Sequence, residues 1–182
     1  FIANAIIDTA IASRNPQFAN TAPERLQLAL YLDPENNAGR FFLAQSLFGL
    51  GRFNRAKREL LSIHDASLWA LPGVLLRNNI EIKTGNIDDA ITQFYDHVES
   101  HPNNAYLYKE LGDLYRRQQQ YEKARDSYLQ AEARGFDTAS LYRNLAICHE
   151  RLKEDRQAEA NFKAALQRNP NDPFTLNYLG YW

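Results

Sequence analysis

Methionine is absent from this 182-residue chain, and cysteine occurs once, at Cys148. A single thiol cannot close an internal disulfide and offers no cluster for a metal, so cysteine usage leaves the redox compartment open. Net charge is nearly absent as well. The 21 Lys and Arg residues face 22 Asp and Glu, and no strong overall field draws in nucleic acid or an anionic membrane. No apolar stretch approaches the roughly 20 residues that a transmembrane helix needs. Hydrophobic residues make up 45% and charged residues 24%, which excludes a disordered chain and leaves a globular one with a core of ordinary size. Phe1 and Trp182 both fall inside apolar periodic runs, so the sequence reads as a fragment or the ordered part of a longer protein, with any leader or lipid anchor outside it.

What is present is a period. Ala22, Ala56, Ala90, Ala124 and Ala158 stand 34 residues apart without an insertion. Four residues after each comes a large side chain: Leu26, Leu60, Phe94, Tyr128 and Phe162. Ala29, Ile63, Val98 (one residue late), Ala131 and Ala165 follow, completing one buried helical stripe per unit. A second pattern precedes each alanine and is clearest near the end, where Tyr108, Leu111, Gly112 and Tyr115 are matched by Tyr142, Leu145, Ala146 and His149. The small residue lets two helices approach, and a bulky replacement there should cost about 1–3 kcal/mol.

Punctuation falls where this register needs it. Gly51 and Gly85 sit between paired helices, and Pro34, Pro102 and Pro170 follow the second helix of a pair, each in a run containing Asn or Asp that can cap the next helix.

These residues together resemble the tetratricopeptide repeat family. The resemblance runs from Ala3 to Asp172 as five units (3–36, 37–70, 71–104, 105–138 and 139–172), with a partial sixth at 173–182. In the third unit Arg77-Asn78 replaces the family's Leu-Gly pair and Glu81 its next aromatic, which sets that unit's first helix apart. Leu68 and Phe136 stand where the family has proline, so those junctions are expected to bend differently. The resemblance implies an all-α fold, a right-handed superhelical solenoid of antiparallel helix pairs in a single domain spanning residues 1–182, with a concave groove lined by first helices. The last helix is expected to cover the fifth unit with Leu176 and Leu179.

Carrying the family's groove positions over gives Asn4, Ile7 and Ile11, then Ala38, Phe41, Gln45 and Phe48. The third unit gives Leu75, Asn79, Ile82 and Lys83, and the fourth Tyr106, Lys109, Asp113, Arg116 and Arg117. The fifth gives Ser140, Arg143, Asn144, Ile147, Glu150 and Arg151. This wall is apolar at first and charged later, which suggests a two-part ligand, an apolar or amphipathic segment followed by a polar or acidic one. The competing reading is that Phe41, Phe48 and Leu75 simply pack inside the stack. Some family members grip a terminal carboxylate with Lys and Asn. Lys109 and Asn144 match that pattern, but Asp113, Phe174 and Tyr178 depart from it, and an aspartate there repels a carboxylate.

Catalytic signals each have a plainer explanation. His97 and His101 are four apart with no third ligand in the pattern. His149 takes the packing position of Tyr115, Cys148 reads as an apolar filler, and Gly49-Leu50-Gly51 reads as a helix turn. The pairs Asp88-Asp89 and Glu154-Asp155 suit the starts of second helices. The run Arg116-Arg117 lies a turn from Glu110 and Asp113, as on a solvated helix end.

The expected function is therefore a non-catalytic scaffold for a protein or peptide partner, with no cofactor or metal, no nucleic acid and no membrane insertion by this stretch. Two alternatives remain: the non-catalytic arm of a larger enzyme, such as a transferase or envelope protease, and self-association through the terminal helix with Phe174, Tyr178, Tyr181 and Trp182. Short stretches such as Ala29–Pro34 look like bacterial exported or lipid-anchored repeat proteins, which leans towards a periplasmic or envelope location, with the cytoplasm as the alternative.

Overall fold

A computed structural model describes residues 2–12 and 21–180. Those residues form helices and short connections, with no strand among them. Two compact units, Phe1–Asn86 and Ile87–Trp182, are best taken one at a time.

The first unit contains α1 (Ile2–Ala12), α2 (Ala22–Leu32), α3 (Asn37–Gly49), α4 (Phe53–Leu61) and α5 (Ala70–Lys83). Its core joins Ile7, Leu26, Ala29, Leu43, Ala44, Leu47, Ala56, Leu60 and Ile80, so Ala56 and the large residues Leu26 and Leu60 are buried as their spacing requires, while Ala22 is only half-buried beside the buried Pro23. Phe41, Phe42 and Trp69 close one side, with ring centroids 5.0–5.4 Å apart. Trp69 lies at the end of the long connection from α4 to α5, where Leu68, in the place of the family's proline, points fully into solvent.

Helix α5 forms across 14 residues despite its departures from the repeat pattern. Glu81 is buried where the next unit holds Tyr115, and it is met by Lys57 Nζ at 3.0 Å and Asn86 Nδ2 at 3.2 Å. Asn78, at the small-residue position, is also buried, and its amide nitrogen and oxygen have no hydrogen-bond partner among the described residues.

The second unit contains α6 (Ile87–Ser100), α7 (Ala105–Arg117), α8 (Tyr121–Ala133), α9 (Ala139–Arg151), α10 (Asp155–Arg168) and α11 (Pro173–Gly180). Helix α7 pairs with α8 and α9 with α10, while α8 stacks on α9 and α10 on α11. Phe94, Tyr128 and Phe162 are fully buried, each contributing roughly 1.5–3 kcal/mol. A Cβ built on Gly112 would lie 2.6 Å from two ring carbons of Tyr128, so only glycine lets this ring sit where it does. In the next pair Ala146 and Phe162 hold the same positions. Helix α11 covers Phe162 through Tyr178, whose ring stacks at 4.8 Å, and through Leu179. Leu176, expected to share that task, faces outward, and the buried residue of α11 is Thr175. Tyr181 and Trp182 lie outside the described residues.

Two features recur at the repeat spacing in both units. First helices begin at a side-chain cap: Asn36 accepts from the Gly39 amide, Asn104 from Tyr106, Thr138 from Leu141 and Asp172 from Thr175. Helix α5 alone of this series lacks such a cap, because Ala70 takes the position and Trp69 precedes it. Among the described residues, four turns at this spacing have φ of +71° at Gly51, +85° at Gly85, +60° at Gln119 and +63° at Lys153. The next residue's amide reaches back to the carbonyl five residues earlier, as in Arg52 to Leu47 at 2.8 Å and Glu154 to His149 at 2.9 Å.

Candidate functional site, the wall of first helices

The residues carried over to the groove separate by burial. Ile11, Gln45, Asn79, Tyr106 and Arg117 are exposed. Phe41, Phe48, Leu75, Ile82, Lys109, Asp113, Arg116, Arg143 and Ile147 are half-buried. Two are not presented at all. Ile7 is a core residue, because Gly39 brings α3 against it so closely that a Cβ there would sit 3.1 Å from Ile7 Cδ1. Asn144 is buried, and its amide donates to Asp113.

In the first unit the wall carries Phe41, Phe48, Leu75 and Ile82 beside the exposed amides of Gln45 and Asn79. Phe48 lies 5.8 Å from Phe53, and Lys83 Nζ stands 5.7 Å from the Phe48 ring centroid, so one cation edges that ring. Phe41 packs against the rings of Phe42 and Trp69.

In the second unit the wall is a polar network drawn from three helices. Asp113 of α7 accepts from the Tyr128 hydroxyl of α8 at 2.6 Å, from Asn144 Nδ2 of α9 at 3.0 Å, and from Lys109 Nζ at 2.8 Å. The Tyr128 oxygen in turn accepts from Arg116 Nε at 3.2 Å. Burial, with the Asp113 carboxylate beside it, pushes the Tyr128 hydroxyl far above the ordinary phenol range, so it stays protonated and donates. Burial alone would lower the Lys109 pKa, but its bonds to Asp113 and to Glu110 at 2.8 Å outweigh that and raise it. Further along, Arg143 Nη1 bonds both oxygens of Asp172 at 3.0 and 3.1 Å, and its guanidinium lies 5.5 Å from the exposed ring of Phe174.

Sequence pattern alone took Tyr128 as a core aromatic and missed its polar role. The signal was present: it is the one tyrosine in the Leu26, Leu60, Phe94, Tyr128, Phe162 series, and Asp113 and Arg116 lie one helix back. Lys109, Asp113 and Asn144 do come together, but they neutralise one another.

Residues considered for chemistry are placed structurally. Cys148 is fully buried, which pushes its thiol up to about 12. His149 is buried with Nδ1 2.5 Å from Glu154, whose other oxygen pairs with Arg125 at 3.0 Å. His101 Nδ1 lies 3.2 Å from the His97 carbonyl oxygen. Among the described residues no group of three or more His, Cys, Asp or Glu could hold a metal, and no helix is long and apolar enough to cross a membrane.

A tetratricopeptide repeat profile matches residues 79–138 and 109–173, together more than half of the chain. The chain belongs to the tetratricopeptide repeat family. Among relatives in sequence is the human protein O-mannosyl-transferase TMTC3, 30% identical over 164 residues, and the chain spans 18% of that protein's length. Among solved tetratricopeptide structures, MamA from Desulfovibrio magneticus RS-1 superposes with a TM-score of 0.73 at 15% identity, covering 94% of this chain and 97% of the other. YrrB, described as a TPR protein with an unusual peptide-binding site, superposes with a TM-score of 0.68 at 15% identity, covering 96% and 90%. These likenesses establish the fold class, an all-α solenoid of antiparallel helix pairs.

Proposed function

We propose that this chain is a non-catalytic scaffold that holds a peptide or helical segment of a partner protein along its first helices. One observation carries the reading: most of the carried-over wall residues stay at least partly accessible, while Leu47, Leu76, Leu111 and Leu145 of the same helices are buried. Phe48, Leu75 and Ile82 offer apolar surface in the first unit, and Tyr106, Lys109, Arg116 and Arg117 offer aromatic and cationic groups in the second. The unusual peptide-binding site described for YrrB supports such a use of this fold. Selection of 15-residue peptides from a displayed library, followed by titration against Phe48→Glu and Arg116→Glu, tests it. Loss of affinity in at least one variant is expected, and unchanged affinity in both refutes it.

A second reading, the non-catalytic arm of a larger enzyme, is favoured by the identity to TMTC3. The length and content of the parent open reading frame separate the two. We also propose that residues 1–182 make one domain, on the ground that the 34-residue register passes through Asn86 and Ile87 without insertion.

A further inference from the structure

We infer that Arg116 is an anion-recognising contact on this wall, aimed by Tyr128 and Asp113, and that it takes a side-chain carboxylate of an acidic partner segment. The inference rests on the proposed scaffold role and names the chemistry of the partner.

The charges on the wall are not equally available. Lys109 is spent on Glu110 and Asp113, and Arg143 on Asp172. Asp113 accepts from three donors, one of them the Lys109 cation, which offsets part of its repulsion of an incoming acid. Arg116 differs. Its Nε is held by the Tyr128 oxygen, while its two terminal nitrogens have no partner among the described residues. A guanidinium fixed at Nε and free at its fork is preorganised for two parallel bonds to a carboxylate. Arg117, exposed in the same last turn of α7, adds a second positive charge.

The arrangement belongs to this repeat alone. The positions of Asp113, Arg116 and Tyr128 are held by Gln45, Phe48 and Leu60 two units earlier, by Asn79, Ile82 and Phe94 one unit earlier, and by Ile147, Glu150 and Phe162 one unit later. A tyrosine needed only to fill the core would be served by phenylalanine, as Phe94 and Phe162 show. The hydroxyl is used to tie a carboxylate to an arginine, and the arginine is the member left with donors to spare. Tyr128 and Asp113 are thus positioning residues and Arg116 the contact.

The test uses a capped tetraglutamate peptide, with tetraglutamine as its neutral twin, titrated into the 15N-labelled chain. The Arg116 Nε–Hε resonance is expected to shift saturably with tetraglutamate and not with tetraglutamine. Arg116→Gln should weaken tetraglutamate binding by about tenfold, the scale of one charge-assisted hydrogen bond. Tyr128→Phe should weaken it severalfold alone and change nothing further in the Arg116→Gln background, an outcome that a purely structural role for the hydroxyl would not give. Binding untouched by Arg116→Gln, equal loss from Tyr128→Phe in both backgrounds, or no shift at Arg116 overturns the inference. If tetraglutamate leaves Arg116 unmoved while library peptides are still lost in Phe48→Glu, the inference falls and the scaffold reading stands. If library peptides ignore every wall variant while Arg116 still shifts, the scaffold reading falls and the anion contact stands.

Discussion

Gly112→Ala is the sharpest probe of how the second unit is packed. Alanine is the better helix former by about 1 kcal/mol, so propensity alone predicts stabilisation. The structure predicts the reverse. The new Cβ would lie 2.6 Å from two Tyr128 ring carbons, where contact distances are roughly 3.5–4.0 Å, so the ring must retreat by about 1 Å. Tyr128 cannot retreat freely, because its hydroxyl is held by Asp113 at 2.6 Å and by Arg116 at 3.2 Å. Overpacking of this kind costs about 1–3 kcal/mol, and a stretched hydrogen bond adds about 1 kcal/mol. After the propensity gain, the net loss is about 2 kcal/mol, or a fall in Tm of roughly 4–8 °C for a chain of this length. Adding Tyr128→Phe should recover part of it, since the pair then matches Ala146 and Phe162 of the next unit, and the two changes should couple by about 1 kcal/mol or more. Urea and thermal unfolding followed by circular dichroism measure all four corners of the cycle. A Gly112→Ala protein as stable as the parent, or an additive double variant, would show that the hydroxyl does not pin the ring.

Asn78→Ala should stabilise by about 1–2 kcal/mol, because it removes a buried amide with no partner at a position that is alanine or glycine in other units; a lower urea midpoint would contradict this. Lys153→Gly should stabilise by roughly 1 kcal/mol by relieving a φ of +63°, whereas Gly51→Ala should destabilise by a similar amount, both read from Tm. Asp172 is held below the ordinary aspartate range: burial would raise it, but the hydrogen bonds from Thr175 and Arg143 outweigh that. A lowered folded pKa means its stabilisation is complete above the unfolded value of about 3.9 and is lost as pH falls through the folded one. Between pH 5 and 2 the parent should therefore lose more Tm than Asp172→Asn, and parallel curves would count against it. Calorimetry should show one transition for residues 1–182; two separated ones would refute the single-domain proposal.

Much of the fold could be read from spacing because the positions that matter recur at one interval and differ in size rather than chemistry. Ala56, Ala90, Ala124 and Ala158 are buried for the same reason, and that reason is visible in the letters. The third unit was harder. Its first helix holds Glu81 where an aromatic belongs, and nothing along the sequence says that Lys57 will lie 3.0 Å away to receive it. The wall was half legible. Periodicity places Phe48 and Arg116 on one face, but it cannot tell Ile7, pressed under Gly39, from Ile11, which remains open, nor can it show which cations are already spoken for. Those distinctions depend on contacts between helices rather than on position along one.

The left-handed turn at 51, 85, 119 and 153 does not depend on glycine. Glycine supplies it twice, glutamine and lysine supply it twice more, and the backbone traces the same path because the carbonyl five residues earlier holds the next amide each time. Architecture of this kind forgives spelling errors at its corners: descendants can lose the glycine and keep the bend, and a search for the letter would pass over repeats that the geometry still contains.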